Sequence, residues 1–298
     1  MTSRPARYPL AIIGAGALGL HFAARLAARG PVAVVARSAA RAAGLRAGVR
    51  VGDADFQPDA FGPDRLPEAD WVIILVKAGD TADAARTALA LRPRGVLSLQ
   101  NGLVENVLCE ACGALPVGQG ITTEGAFRDA DRVVPSGAGD TLLPPGFEAV
   151  ADLLAAAGLR ARVEPDILAA RLAKLLVNVA INPLAALFRV PNGALLEVPH
   201  RALLDALVAE AWPVLRAAGL QLDEAAARER VIAVATATAA NRASMLQDVL
   251  AGRRTEIDAI TGALLAMAEA QGVDLPTHRA MFAQVTRLWV GLQSDITG

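Results

Sequence analysis

The sequence has few of the residues that build metal and disulfide sites. It contains two cysteines and three histidines in 298 residues. A structural zinc site needs about four such ligands, and the histidines are scattered along the chain. Cys109 and Cys112 have the C-x-x-C spacing, but a thioredoxin-type pair should lie where a strand feeds a helix. This pair comes late in a predicted helix, so we predict no metal site. We interpret both cysteines as small hydrophobic residues on one helix face, with a redox role as the alternative.

The chain also lacks a strong charge of either sign. Its net charge is −1 and it has no long acidic or basic run, which argues against electrostatic nucleic-acid binding and a polybasic membrane anchor. No apolar run approaches the about 18 residues of a transmembrane helix. Arg4 and Arg7 precede an apolar stretch, as in a signal peptide, but that stretch contains three glycines and continues into His21. We interpret it as folded chain and expect a cytoplasmic protein without nucleic-acid or membrane partners.

The length of 298 residues suggests about two domains. The first half alternates apolar strand patterns with helical patterns, which predicts a doubly wound parallel sheet. After Pro165 the strand patterns stop and alanine-rich helical patterns follow. We therefore predict an α/β fold, with an N-terminal Rossmann-type parallel-sheet domain at 1–164 and an all-helical C-terminal domain at 165–298. The predicted strands are 8–13, 32–36, 49–56, 71–76, 95–99, 117–123, 132–135, 139–143 and 162–163.

A glycine-rich turn follows the first predicted strand. Gly14, Gly16 and Gly19 form G-x-G-x-x-G before a predicted helix at 18–28. The first glycine allows the tight turn, the second lets backbone approach a pyrophosphate, and the third allows close helix–strand packing. In this context the pattern predicts dinucleotide binding, and a plain tight turn is the alternative. The predicted cofactor loop is Gly14, Ala15, Gly16, Ala17, Leu18 and Gly19.

The end of the second strand indicates which dinucleotide is bound. A fold that prefers NAD has an acid there to hold the ribose 2′-hydroxyl. This chain has Arg37 instead, with Arg41 one helical turn further, and no acid before Asp53. A guanidinium suits a dianionic 2′-phosphate. We predict NADP(H) over NAD(H), with an exposed loop arginine as the alternative.

Two further polar residues follow predicted parallel strands. Lys77 ends the strand at 71–76, and Asn101 follows the strand at 95–99. Ligands of such sheets lie beyond the carboxyl ends of the strands. Lys77 is therefore a candidate for a phosphate or ribose contact, against a solvated strand end. For Asn101, which precedes Gly102, turn chemistry is an equal alternative.

The second half contains a polar stripe formed by Lys174, Asn178 and Asn182. Four-residue steps keep these side chains on one face of a helix, and every residue between them is aliphatic. Burying an ammonium and two amides without partners is costly, so the stripe should face polar protein groups or a ligand. We expect the helix to run from about Ile167 to a break at Asn182-Pro183, which puts Asn182 at a kink or a helix end.

Later helices add further polar residues. Helices are predicted at 200–218, 224–240 and 277–292. Asn241 or Ser244 is expected to cap a helix that starts before Asp248, and Thr255 to cap the next one, ahead of Glu256. Helix capping is the alternative to a binding role for Ser244 and Glu256. A small substrate is expected in a cleft between the two domains.

Taken together, seven motifs in this order resemble the ketopantoate reductase (2-dehydropantoate 2-reductase) family. They are the loop at 14–19, Lys77-Ala78, Asn101-Gly102, the stretch 174–184, Pro191-Asn192-Gly193, the stretch 244–248 and Thr255-Glu256-Ile257-Asp258. The resemblance covers nearly the whole chain. It implies a Rossmann domain with a helical domain, and NADPH-dependent reduction of 2-dehydropantoate to (R)-pantoate, toward pantothenate and coenzyme A.

The resemblance also implies residue roles. Lys174 would be the general acid, with Glu256 beside it opposing a fall in its pKa. The glycine loop, Arg37, Lys77, Asn101 and Thr122 would bind NADP(H). The substrate, a small 2-keto acid, would be bound by Asn101, Lys174, Asn178, Asn182, Asn192, Asn241, Ser244 and Glu256. The chain departs from the family pattern at Gly79 and around Thr122, at Ile121, Glu124 and Gly125.

Two other functions stay open. A related reductase of another 2-keto or 3-hydroxy acid would use the same scaffold and lysine. A non-catalytic NADP-binding regulator would tolerate loss of the lysine and the amides, and both are intact here. The oligomeric state is also open, with a homodimer as one alternative.

Overall fold

The computed structural model describes residues 7–294, which form two compact units. The first unit comprises the described residues up to Gln100 together with Val104–Ile167, and the second comprises Asn101–Leu103 and the chain from Leu168 onward. The predicted boundary after residue 164 lies close to this division, whereas Asn101–Leu103, predicted in the first domain, packs with the second unit. The predicted domain ends at 1–6 and 295–298 lie outside the described residues.

The first unit contains the strands and five of the helices. Its strands are β1 (Arg7–Ile13), β2 (Val32–Val35), β3 (Val49–Val51), β4 (Ala54–Phe56), β5 (Asp59–Phe61), β6 (Glu68–Ile74), β7 (Gly95–Ser98), β8 (Val117–Gln119), β9 (Ile121–Thr122), β10 (Gly125–Asp129), β11 (Arg132–Gly137), β12 (Asp140–Leu143) and β13 (Arg160–Val163). Its helices are α1 (Ala17–Ala27), α2 (Ala39–Arg46), α3 (Thr81–Ala90), α4 (Glu105–Cys112) and α5 (Glu148–Ala156), with a short 3-10 helix at Ala78–Asp80.

The main sheet has six parallel strands in the order β5-β2-β1-β6-β7-β8. Its central strands are buried on both faces, as continuous apolar runs predict. The strand order reverses between β1 and β6, and α/β sheets bind ligands at such a switch point. The predicted Rossmann-type sheet is confirmed. The three-residue strand β5 was missed, because its pattern is too short to separate from a loop.

Two smaller sheets complete the first unit. One has the order β10-β11-β3-β4 and the other the order β13-β12-β9. The predicted β segment at 49–56 is the hairpin of β3 and β4. Sequence analysis missed β10, which pairs antiparallel with β11 and packs against α1. This strand brings charged side chains next to the helix that follows the glycine loop.

The second unit is helical. Its helices are α6 (Ile167–Phe188), α7 (Arg201–Ala217), α8 (Glu224–Ala237), α9 (Ser244–Leu250), α10 (Ala263–Ala270) and α11 (Pro276–Ser294), with a 3-10 helix at Asn192–Leu196 and a π-helix at Asp258–Gly262. Their apolar faces form one core, in which α6 supplies a large share of the buried side chains.

Of the two predicted alternatives at Asn182-Pro183, the helix end is wrong, because α6 continues to Phe188. A proline in a helix removes one backbone hydrogen bond and costs about 3 kcal/mol. Leu184, Ala185 and Ala186, which follow it, are fully buried, and their packing offsets that cost.

By length and composition alone α6 would also cross a membrane, contrary to our expectation of no such segment. However, 61% of its apolar window is buried inside the structure, as in the core helix of a folded domain.

Two predicted helix caps are also wrong. Ser244 is the first residue of α9, which has Ala243 at its N-cap position and no side-chain cap. The next helical segment has Ile257 at the N-cap position, again without a side-chain cap, and Thr255 lies ahead of it. The Glu256 carbonyl accepts the backbone N–H groups of Ala259 and Ile260, so the first turn is closed by the backbone. The side chains of Ser244 and Glu256 are therefore not used for capping.

Candidate active site

In the first unit, the glycine loop has the geometry that its spacing predicts. Gly14 has φ +125°, and a Cβ there would lie 2.6 Å from the Leu75 carbonyl oxygen at the switch point. A Cβ on Gly19 would overlap the Gly14 carbonyl oxygen, so this glycine lets α1 pack against the loop. A Cβ on Gly16 would meet no protein atom within 4 Å. Protein packing therefore explains Gly14 and Gly19, while Gly16 leaves an open space over the loop.

The start of α1 is suited to bind an anion there. Gly16 is its N-cap residue and provides no side-chain cap, and the first turn contains no acid. Backbone N–H groups at such a helix start point at the space beside the loop and favour a negative charge. The open space above Gly16 and the uncapped helix start fit the pyrophosphate of a dinucleotide.

Basic residues surround this loop. Arg37 follows β2 and is exposed, and Arg41 lies in the first turn of α2, which Ser38 caps by accepting the Arg41 N–H. Sequence analysis missed Arg128 on β10, whose guanidinium donates to the Ala15 carbonyl oxygen over 3.3 Å. Burial, and secondarily the positive charge of Arg41, lower the pKa of Arg128. No local pattern could have found it, because β10 and the loop are far apart in sequence.

Lys77 lies three residues beyond the end of β6, exposed, and precedes the 3-10 helix at Ala78–Asp80. The strand ends next to it are held by Gln100, whose side-chain amide donates to the Val76 carbonyl and to the Thr81 hydroxyl. Ser98 completes this network by donating to the Gln100 amide oxygen. Gln100 is thus a positioning residue for the segment that carries Lys77, and sequence analysis did not identify it.

Thr122, a predicted cofactor residue, is buried in the first unit. Its hydroxyl lies 2.9 Å from the Thr141 hydroxyl and accepts the Glu124 N–H. The Glu124 carboxylate in turn pairs with His21 on α1 and accepts the Gly139 N–H. In this structure Thr122 therefore joins neighbouring strands, and the departure at Glu124 places a carboxylate in buried hydrogen-bonding contact with the His21 ring of α1.

In the second unit, α6 carries the polar stripe as one helix face. Asn182 is buried, and Lys174 and Asn178 are partly buried. Burial lowers the pKa of Lys174 from its usual 10.5 to about 8, and the negative charge of Glu256 acts in the opposite direction. Loss of hydration disfavours the ammonium, while the nearby carboxylate favours it. Lys174 can therefore gain and lose a proton near neutral pH.

Glu256 also contacts Asn101. The Asn101 side-chain amide donates to the Glu256 carboxylate over 3.3 Å. The backbone of the next residues packs against the π-helix, since the Leu103 N–H donates to the Ala259 carbonyl. Gly102 allows this approach: its φ is +78°, and a Cβ there would overlap the Ala259 carbonyl oxygen. A π-helix is rare and often accompanies a functional site. Lys174, Glu256 and Asn101 thus form one charged and polar group.

The remaining predicted substrate residues separate into two kinds. Asn192 is buried; its amide donates to the Thr238 hydroxyl, and its backbone N–H donates to the Asn241 carbonyl. These bonds tie the 3-10 helix to the end of α8, whereas the Asn192 side-chain oxygen is buried without a hydrogen-bond partner among the described residues. The side chains of Asn241 and Ser244 are exposed and remain available to a ligand.

The rarity of lysine in the sequence distinguishes two of the predicted site residues. Lys77 and Lys174 are the only lysines among the 29 lysines and arginines of the chain. Arginine cannot lose its proton in a protein, whereas a lysine shifts its pKa readily when buried. Of these two lysines only Lys174 lies within a helix, where partial burial lowers its pKa.

Comparisons with known proteins agree with these observations. The family model described as "Ketopantoate reductase PanE/ApbA" matches residues 10–146, and its C-terminal counterpart matches residues 166–288. The 2-dehydropantoate 2-reductase of Archaeoglobus fulgidus is 34% identical over 94% of this chain and 98% of its own length.

Solved structures give the same result. The probable 2-dehydropantoate 2-reductase of Bacillus subtilis has a TM-score of 0.79 at 30% identity, covering 94% of this chain and 99% of that one. A D-mandelate dehydrogenase with NADH and anilino(oxo)acetate has a TM-score of 0.87 at 22% identity, covering 95% of this chain and 99% of that one, which shows the shared fold. NADP(H) dependence is the norm among ketopantoate reductases. The predicted family is confirmed: this chain belongs to the ketopantoate reductase family of oxidoreductases.

Proposed function

We propose that this protein catalyses the NADPH-dependent reduction of 2-dehydropantoate to (R)-pantoate, a step toward pantothenate and coenzyme A. The observation that carries the proposal is Lys174, a helix-borne lysine whose pKa falls to about 8 beside Glu256. Reduction of a ketone needs a proton donor at the carbonyl oxygen, and a donor is most effective when its pKa lies near the working pH.

Residues of the first unit fit the cofactor. The loop from Gly14 to Gly19 would hold the pyrophosphate, because the space above Gly16 is open and the start of α1 is uncapped. Arg37 would contact the 2′-phosphate, and Lys77 would contact the cofactor from the end of the neighbouring strand. When bound, NADPH supplies the hydride to the ketone carbon.

Lys174 would serve the proton transfer. Its ammonium donates a hydrogen bond to the ketone oxygen and then the proton itself, as negative charge develops on that oxygen. The lysine is left as a neutral amine, which its partly buried setting tolerates. Glu256 keeps enough of the lysine protonated before the reaction, since its negative charge raises the pKa against the effect of burial. Without this carboxylate, a smaller fraction of the enzyme would carry the proton at neutral pH.

The amides and hydroxyl would orient the substrate. Asn178 and Asn182 follow Lys174 along α6, and Asn241 and Ser244 offer exposed side chains from the segment before and at the start of α9. Their N–H and O–H donors suit the carboxylate and hydroxyl of a small 2-keto acid. Asn101 would hold the Glu256 carboxylate in place. A cofactor role for Thr122 is less favoured, because its hydroxyl already bonds the Thr141 hydroxyl and the Glu124 N–H. Asn192 donates its side-chain amide to Thr238, but its side-chain oxygen has no partner among the described residues and could accept a bond from the substrate.

Steady-state kinetics test this proposal. Oxidation of NADPH would be followed by its absorbance, with 2-dehydropantoate beside a panel of other 2-keto acids. We expect the highest kcat/KM for 2-dehydropantoate; a clear preference for another acid would assign a related reductase. An absence of turnover with every acid would favour the non-catalytic regulator.

Cofactor choice is tested separately. We expect NADPH to be used more efficiently than NADH, and Arg37→Ala to remove most of the difference. Equal efficiency with both cofactors, unaffected by Arg37→Ala, would contradict the proposed role of Arg37.

A homodimer and a cytoplasmic location also stay predictions, and light scattering of the purified protein would test whether it is a dimer.

A further inference from the structure

Arg128 lies near the glycine loop, and neither the glycine motif nor the proposed mechanism uses it. It lies on β10, opposite Val133 of β11 in the antiparallel register. Directly opposed residues share one face of a sheet, and Val133 is fully buried in the core that contains Leu20 and Phe22 of α1. The Arg128 side chain therefore extends on the face that packs against the helix of the glycine loop.

The guanidinium of Arg128 is positioned over that loop. One of its N–H groups donates to the Ala15 carbonyl oxygen. A guanidinium has five N–H donors in a fixed plane, and within residues 7–294 this bond is the only one that Arg128 makes, which leaves four for a ligand. Asp129, its neighbour in sequence, points to the opposite face because side chains alternate along a strand.

The charges around the loop are not balanced by the protein. Over the described part of the chain, no carboxylate forms an ion pair with Arg37, Arg41 or Arg128, whereas exposed arginines elsewhere in the same unit, such as Arg50 and Arg160, pair with aspartates. Arg41 is close enough for its charge to act on Arg128. Two like charges held together without a counter-ion repel each other, and a bound dianion would relieve this repulsion.

We propose that Arg128 is a specificity-determining residue that binds the 2′-phosphate of NADP(H), together with Arg37 and Arg41. This inference rests on the proposed use of NADP(H). The 2′-phosphate is favoured over the pyrophosphate because Arg41 belongs to α2, which follows β2 and Arg37 directly in the chain. The pyrophosphate, in contrast, has the backbone N–H groups of α1. The four-stranded sheet would thus contribute a cation from β10 that the glycine-loop motif does not include.

Binding of two adenosine fragments to the unloaded protein tests the proposal without turnover. The probes are adenosine 2′,5′-bisphosphate and AMP, which differ only in the 2′-phosphate, and calorimetry gives each Kd. We expect Arg128→Ala to weaken binding of the bisphosphate about 10- to 100-fold, the range for charge-assisted contacts. Binding of AMP should change less than twofold. Arg128→Lys should lose part of the affinity, because it keeps a charge but loses the planar fork.

The control is Arg50→Ala. Arg50 is an exposed arginine of the same four-stranded sheet, paired with Asp55, and its removal should leave both Kd values unchanged. Thermal melting checks that each variant is folded; if Arg128→Ala is not, Arg128→Lys and Arg128→Gln carry the comparison.

Four outcomes would overturn the proposal. Equal weakening of both fragments would assign Arg128 to the 5′-phosphate or the adenosine, and unchanged binding would exclude a contact. A wild-type protein that binds both fragments equally would contradict NADP(H) preference itself, and with it this role. A wild type that prefers the bisphosphate, with Arg128→Ala retaining that preference, would remove only the role of Arg128.

Discussion

The side-chain amide of Asn101 donates a hydrogen bond to the carboxylate of Glu256 over 3.3 Å, although the two residues are 155 positions apart. This bond joins the turn after β7 to the segment before the π-helix, in the same unit as Lys174. It holds the carboxylate whose charge raises the pKa of the lysine. Asn101, Glu256 and Lys174 are therefore expected to act as one group, and their substitutions to be non-additive.

The pH dependence of reduction should reflect the Lys174 pKa of about 8. The ammonium is the proton donor, so kcat for ketone reduction should be constant below about pH 8 and fall about tenfold per pH unit above it. Oxidation of the hydroxy acid needs the neutral amine and should show the opposite trend. Rates measured in both directions across pH 6–10, with about equal ionic strength throughout, would check this.

Glu256→Gln should shift the fall in kcat for reduction, here called the alkaline limb, to lower pH. The substitution keeps an oxygen that accepts from Asn101 but removes the negative charge that favours the ammonium. The reduction rate at neutral pH should fall accordingly, while the limiting rate at low pH is retained. Glu269→Gln, at an exposed acid of α10, is the matched control and should leave the limb in place. A limb that does not move in Glu256→Gln would separate Glu256 from the titration of Lys174.

Lys174→Met should abolish proton donation without affecting the cofactor site. We expect kcat to fall about 10²- to 10⁴-fold and the Kd of NADPH, measured by its fluorescence, to stay within twofold. Because the chain has only two lysines, isotope labelling of lysine gives two side-chain resonances, and the variant assigns them. Titration of the Lys174 resonance near pH 8 would agree with the proposed role, whereas an ordinary pKa near 10.5, or near-normal turnover of Lys174→Met, would remove it.

Gly102→Ala should disrupt the contact between Asn101 and Glu256. Its φ of +78° strains an alanine, and the new Cβ would overlap the Ala259 carbonyl oxygen, so the turn must move away from the π-helix. Gly252→Ala is the matched control in the same unit, since Gly252 has φ +61° and no protein atom near a Cβ. The control should cost only about 1–2 kcal/mol of unfolding free energy. Gly102→Ala should cost more and also lower kcat; similar effects of both variants on stability and kcat would show that the close approach is unimportant.

Gly16→Ala should separate folding from cofactor binding. A Cβ at Gly16 meets no protein atom, so the apo protein should melt within a few degrees of the wild type. The methyl group would occupy the space over the loop, and we expect the NADPH Kd to rise at least about tenfold, the equivalent of 1.4 kcal/mol. Gly44→Ala, in an exposed and open position of α2, should leave the NADPH Kd unchanged. Normal NADPH binding by Gly16→Ala would contradict the predicted location of the pyrophosphate.

The sequence predicted those parts of the molecule that depend on local patterns. The apolar runs predicted the central strands, and the glycine spacing predicted a turn whose Gly14 and Gly19 are required by close packing. The four-residue spacing of Lys174, Asn178 and Asn182 predicted one helix face. Each of these depends on the periodicity of a strand or helix, which a few neighbouring residues determine.

Other predictions failed where distant packing outweighs local preference. Proline disfavours the helix interior, yet α6 passes through Pro183 because the residues after it are buried in the core. Ser244 and Thr255 have good capping side chains, but the backbone closes these helix starts without them. The ligand roles of Asn192 and Thr122 stay predictions, and in the structure each side chain also has a buried protein partner.

The sequence by itself thus determined the two classes of unit, the glycine-rich turn and the polar helix face, because each is encoded within a few turns of chain. Only the tertiary structure decided which of these side chains meet. The contact of Asn101 with Glu256, the effect of Glu256 on Lys174, and the position of Arg128 over the Ala15 carbonyl all join segments far apart in sequence. Such contacts depend on how β10, the turn after β7 and the π-helix pack, and no local pattern specifies that packing.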